Sequence, residues 1–108
     1  MANVPDVTDA NFNDEVLSSE LPVLVDFWAE WCAPCKALGV HVAALAGEHT
    51  EQLKVVKMDV QSNMKTAMSY KVTALPTLLV FKDGNVVARQ QGAQGGLNGL
   101  RRLVSSHL

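Results

Sequence analysis

The sequence predicts an α/β fold, a mixed central sheet with helices on both faces. Three observations carry this expectation. Pro22 to Ala29 is apolar on both alternating faces, as in a strand covered from two sides. Segments of helical period alternate with strand-like runs as far as Tyr70. Beyond them, Thr77–Lys82 and Asn85–Gln90 flank Asp83-Gly84, the pattern of a tight hairpin.

In chain order, Thr8-Asp9 offers a cap to a helix over Ala10–Ser18, where Phe12, Val16 and Leu17 fall at helical spacing. The strand Pro22–Ala29 leads into a long helix from Pro34 to His49. Cys35, Leu38, Val42, Leu45 and Ala46 mark its buried stripe. Pro34 suits a first turn, where no amide donor is needed and φ is already helical. Leu53–Val60 reads as a valine-rich strand, and Asn63–Tyr70 as a short helix capped by Ser62 or Asn63. After the hairpin, Leu97, Leu100, Leu103, Val104 and Leu108 share one face of a closing helix over Gly96–Leu108. Gly95, Gly96 and Gly99 weaken its start, each interior glycine by about 1 kcal/mol relative to alanine.

The 108 residues fit one domain, 1–108, large enough to bury a core. No linker, repeat or low-complexity tract interrupts it. A net charge of −2 gives no electrostatic reason to bind nucleic acid or an anionic membrane. The longest apolar run, Leu21–Ala29, is broken by Asp26 and too short to span a bilayer. Met1–Asp6 has no basic start followed by an apolar stretch, so we expect no signal peptide and a cytoplasmic location. Thiols stay reduced there, and a close cysteine pair points to catalysis or metal binding rather than to a structural link.

The chain has two cysteines, three apart in Trp31-Cys32-Ala33-Pro34-Cys35-Lys36, where a strand ends and a helix begins. Residues i and i+3 on a helix have Cβ atoms roughly 5–6 Å apart, against about 3.5–4.5 Å in a disulfide. A small adjustment of one turn thus makes or breaks the bond. Only a thiolate attacks a disulfide, and an ordinary cysteine ionises near pH 8.5. The helix start favours an anion at Cys32 by about 0.3–1 kcal/mol, up to ~2 when partly buried. At ~1.36 kcal/mol per unit this lowers the pKa by at most about 1.5 units. A hydrogen bond from the Cys35 thiol would add to it. Cys32, at the exposed helix tip, then attacks a client disulfide, and Cys35, one turn in, resolves the mixed disulfide. A zinc site needs four ligands, and His41, His49 and His107 read instead as solvated helix faces. A static disulfide closing so small a ring removes little unfolded-state entropy.

Asp26 interrupts an otherwise apolar strand nine residues before Cys35. Burial raises its pKa toward neutrality, which suits a group that accepts the Cys35 proton during resolution. An aspartate that caps the next loop or pairs with Lys57 is the plainer alternative, and the sequence leaves both open. Trp28, at the strand end, reads as core. Trp31, beside the nucleophile, reads as contact surface. Arg101-Arg102 reads as a wet helix face. Leu75-Pro76 carries no local signal of a special proline, since an Xaa-Pro bond is cis only about 5–6% of the time.

Taken together, Val25-Asp26-Phe27-Trp28-Ala29-Glu30-Trp31-Cys32-Ala33-Pro34-Cys35-Lys36, Val56–Val60, Ala74–Leu78, Phe81–Gly84 and Gly92-Ala93 resemble the thioredoxin family over essentially the whole chain. The resemblance implies a central mixed five-stranded sheet flanked by four helices. It implies Cys32 as nucleophile, Cys35 as resolving thiol, Asp26 as buried proton acceptor with Lys57 near it, and a cis Pro76 facing the cysteines. Trp31, Ala33, Pro34, Leu75, Pro76, Gly92 and Ala93 would form a flat apolar surface for clients. Electrons would come from NADPH through a flavin-containing thioredoxin reductase, with no cofactor bound to the domain itself, and the protein would work as a monomer.

Three positions depart from the family pattern. Ala33 replaces a glycine between the cysteines, a site that helps set redox poise. Val40, after Gly39, replaces a proline that kinks the long helix, so a straighter helix or a bend at Gly39 is expected. Gln61 and Met64 replace an acidic residue and a proline, with local effects on capping. The reading that results is a protein-disulfide reductase acting as a general electron carrier. An oxidant or isomerase of the same fold often carries histidine where Pro34 stands, and a non-catalytic scaffold needs neither thiol.

Overall fold

The computed structural model describes residues 4–108, so Met1–Asn3, the start of the expected 1–108 unit, lies outside the described residues. The strands are β1 (Val23–Trp28), β2 (Lys54–Asp59), β3 (Thr77–Lys82) and β4 (Asn85–Gln91). The helices are α1 (Ala33–Glu48), α2 (Met64–Ser69) and α3 (Gly96–Ser105), preceded by a fourth, one-turn π-helix at Asn13–Leu17. The sheet order is β2-β1-β3-β4, with β1 parallel to β2 and the other pairs antiparallel.

Alternation along β1 explains the layering. Val23, Val25 and Phe27 pack with Val56, Met58, Phe12, Val16 and Ala67, on the side of the helical turn and α2. Leu24 packs with Val55, Leu38, Val42, Leu45, Leu100 and Val104, on the side of α1 and α3. Side chains two apart on a strand share a face, so Asp26 and Trp28 stand on the α1 side, as does Lys57, two residues after Val55. The hairpin turns through Asp83 and Gly84 at φ 53° and 81°, with Lys82 opposite Asn85. Positive φ at both central residues is what the two-residue loop requires.

One expectation needs correction and one refinement. Among the described residues the sheet has four strands, not five. Among the described residues near the amino terminus a single bridge, Asp6 to Lys57, reaches the sheet; the Lys57 amide donates to Pro5 O (2.9 Å) and Val7 N–H to Lys57 O (2.8 Å). Pro5 has no N–H to extend a ladder, and the chain then turns through Thr8–Asn11. The helix expected over Ala10–Ser18 is present as a shorter π-helix over Asn13–Leu17, in which Ser18 N–H reaches back five residues to Asn13 O (2.9 Å), so the flanking helices number four among the described residues. Thr8 Oγ1 does accept from Asn11 N–H (3.2 Å), but Asp9 serves a different helix. Its carboxylate accepts from the amides of Lys65 (3.3 Å) and Thr66 (2.8 Å) and from the Thr66 hydroxyl (2.6 Å). Asn63 occupies the cap position of α2 without capping it. Its side chain instead accepts from Asp9 N–H (2.9 Å) and donates to Asp59 O (3.0 Å).

α1 runs unbroken through Gly39 and Val40, burying Cys35, Leu38, Gly39, Val42 and Leu45. No helix among the described residues is long and apolar enough to cross a membrane.

Candidate active site

β1 delivers the chain to Ala29, whose carbonyl accepts the Cys32 amide (3.0 Å) and turns Glu30 and Trp31 outward. Cys32 is the N-cap of α1, extended at φ −92° and ψ 102°. Its carbonyl accepts from Lys36 N–H (3.2 Å) and its Sγ from Cys35 N–H (3.2 Å). One of the four amides that a helix start leaves unpaired is thus aimed at this sulfur. The Cα atoms of Cys32 and Cys35 lie 5.3 Å apart and the two sulfurs form a disulfide.

Cys35 is wholly buried, one turn into the helix. Cys32 is at the helix tip, but only 5% of it is exposed, less than its place there led us to expect. The cover is local: Ala29 packs with both cysteines, and Trp28, Val60 and Leu75 close around them. Trp28 is half-buried and packs against this cluster, and among the described residues its buried indole N–H has no hydrogen-bond partner. Val60 was not anticipated, although its amide bonds Trp28 O (3.0 Å) at the same end of the sheet. Nor was the ion pair of Lys36 with Glu30 (2.8 Å), which straddles the motif and holds the Glu30 carboxyl below the usual range. No regular spacing in the sequence signals it.

Asp26 is fully buried on the α1 side of β1, the side on which Cys35 lies, and neither carboxylate oxygen accepts a hydrogen bond. Burial pushes its pKa up to about 7, against the opposing pull of the Lys57 ammonium. Lys57 pairs with Asp26 in the strand register, stands 3.8 Å from Asp6 Oδ1 and lies 5.6 Å from the Trp28 ring centroid. The loop-cap reading finds no hydrogen bond at either Asp26 oxygen among the described residues, whereas Lys57 does stand beside Asp26 and acts on it through charge.

The expected client surface is uneven. Trp31 is 67% exposed, while Ala33 and Pro34 are exposed and Leu75, Gly92 and Ala93 partly so. The Leu75–Pro76 peptide is cis, and Pro76 is buried. Gly92 N–H bonds Pro76 O (2.8 Å), which joins two of the loops. Ala93 packs toward the α1–α3 core.

A disulfide closed across the first turn of a helix, with a donor aimed at its outer sulfur, defines a thiol–disulfide oxidoreductase. The thioredoxin family model matches residues 3–105. The chain is 51% identical over 92 residues to thioredoxin C-2 of Corynebacterium nephridii, covering 85% of each. It is 50% identical over 97 residues to thioredoxin of Mycobacterium bovis, covering 90% of this chain and 84% of the relative. It also matches a bifunctional thioredoxin reductase/thioredoxin of Mycobacterium leprae, 46% identical over 91% of this chain and 21% of that protein. The chain belongs to the thioredoxin family, and it is a protein-disulfide oxidoreductase whose redox couple is Cys32–Cys35.

Proposed function

We propose that the chain acts as one domain, 1–108, a monomeric cytoplasmic carrier of electrons to protein disulfides. The Cys32 thiolate attacks a client disulfide, forms a mixed disulfide and releases one client sulfur as thiolate. Asp26 accepts the Cys35 proton, and the Cys35 sulfur then attacks Cys32 Sγ. That step frees the second client thiol and leaves the Cys32–Cys35 disulfide. Lys57 tunes Asp26 by its charge. Trp31, Ala33, Pro34, Leu75, Gly92 and Ala93 carry the client, with Pro76 beneath them. Reduction of the disulfide restores the dithiol, with electrons passing from NADPH through a flavin-containing thioredoxin reductase. The Mycobacterium leprae relative, named for both activities, supports that pairing.

The observation that carries this reading is the Cys35 amide donating to Cys32 Sγ, because the same donor stabilises a thiolate there. In the reduced protein, iodoacetamide should react with Cys32 at a rate whose midpoint lies well below the ordinary thiol value of about 8.5. A midpoint at that ordinary value overturns the nucleophile assignment. Insulin reduction should be lost in Cys32→Ser, and Asp26→Ala should slow the decay of the mixed disulfide at neutral pH. An unchanged decay removes the proton-acceptor role.

A further inference from the structure

α2 ends in a reciprocal pair of bonds, Lys71 N–H to Met68 O (3.1 Å) and Val72 N–H to Ala67 O (2.9 Å). Lys71 is left-handed there, at φ 56°. The carbonyls of Tyr70 and Lys71 fall beyond this arrangement. Arg89 takes both: Nη1 donates to Tyr70 O (2.8 Å) and Nη2 to Lys71 O (2.7 Å). Arg89 lies on β4 opposite Leu79, on the α2 side of the sheet. The neighbouring Gln90 faces the other way and donates to Gly92 O (3.1 Å). Gly92 N–H in turn holds Pro76 O. The segment 72–76 is thus tied at its beginning by Arg89 and at its end by Gly92. Between those ties sits Leu75, packed on Cys32 and Cys35.

We propose that Arg89 is a positioning residue for client docking. By holding two consecutive carbonyls it fixes where Leu75 and Pro76 stand beside the cysteine pair. The proposal rests on the reading of Leu75 and its neighbours as client surface. A guanidinium suits the task because its planar fork presents two donors at fixed spacing, whereas an ammonium is a single point charge. Arg89 itself is exposed, so its removal loosens the segment without opening the core.

The test uses the full chain with dithiothreitol as reductant and two oxidants: insulin, which must dock, and 2-hydroxyethyl disulfide, which is too small to need the surface. In Arg89→Ala the KM for insulin should rise about 3–10-fold, with kcat within about two-fold, a split that marks lost binding rather than lost chemistry. Reduction of the small disulfide should be unchanged, and Arg89→Lys should recover part of the KM. An unchanged insulin KM in folded Arg89→Ala overturns the proposal, as does an equal loss with both oxidants. Trp31→Ala is the control. If it raises the insulin KM and Arg89→Ala does not, the positioning role fails and the docking surface stands; if neither does, the docking surface fails.

Discussion

Asp26 and Lys57 stand side by side in two paired parallel strands, on the sheet face that α1 covers, yet neither oxygen of Asp26 accepts a hydrogen bond. The carboxylate is therefore neither capped nor locked in a hydrogen-bonded ion pair. Its charge is opposed by burial and only partly favoured by the ammonium beside it, which leaves the pKa at about 7. That combination leaves the group ready to take up or release a proton at neutral pH.

It also has a cost in stability, with a defined sign. The Asp26 pKa rises from 3.8 unfolded to about 7 folded, so between those values the unfolded chain has lost a proton that the folded one retains. Stability contributed at this site falls as pH rises through that window. At about 1.36 kcal/mol per unit, the shift from 3.8 to about 7 destabilises the fold by roughly 4 kcal/mol above pH 7 and not at all below pH 4. Asp26→Ala removes this term and leaves a small void worth about 1–2 kcal/mol. Urea unfolding of the oxidised protein should show the variant more stable than the parent by about 2 kcal/mol at pH 8, and less stable at pH 4. The same difference at both pH values would contradict the burial of an ionisable carboxyl.

Asp9 titrates with the opposite consequence. The Thr66 hydroxyl and the Thr66 and Lys65 amides hold its carboxyl below the ordinary 3.8. Its stabilising contribution is thus present above about pH 4 and is lost as the carboxylate protonates at lower pH. Asp9→Ala should lower stability by about 1–2 kcal/mol at pH 7, the usual worth of a helix cap, and by less at pH 3. Hydrogen exchange at Lys65 and Thr66 should quicken in the variant. Protection of those two amides equal to the parent's would show that Asp9 does not cap α2.

These two aspartates mark what could be read from the chain. Asp26 was legible because a charge inside a doubly apolar strand stands out against its neighbours. The hairpin was legible because Asp83-Gly84 supplies both positive φ angles that the turn needs. Asp9 was not, since its partners at Lys65 and Thr66 lie far along the chain and nothing local separates a cap for the next helix from one for a distant helix. Arg89 was hidden for a similar reason. On the outermost strand of the sheet a polar residue is ordinary, and only the fold brings it to the end of α2. The cysteine pair's place at the helix start was plain, but the cover that Val60 and Leu75 add came from separate segments. Among the described residues no fifth strand joins the sheet, and the segment before Thr8 adds a single bridge, Asp6 to Lys57, where Pro5 lacks the donor that a longer ladder would use.

The glycines at the start of α3 invert the propensity expectation. Gly95 is the N-cap at φ 84°, and a Cβ on Gly99 would lie 2.7 Å from the Gln94 carbonyl oxygen, a backbone atom with no side-chain freedom to retreat. Propensity alone predicts that Gly99→Ala stabilises the helix by about 1 kcal/mol. The close approach of segment 94–95 reverses the sign, because relieving the contact means shifting backbone that seats Leu100 and Val104 against α1. Overpacking of this kind costs about 1–3 kcal/mol, so the melting temperature of Gly99→Ala should fall by several degrees. Insulin reduction below the transition should stay near the parent's, since Gly99, Leu100 and Val104 lie outside the cluster formed by Ala29, Cys32 and Cys35 with Trp28, Val60 and Leu75. A rise in melting temperature would mean that the loop yields freely and that glycine is kept at position 99 for some reason other than space.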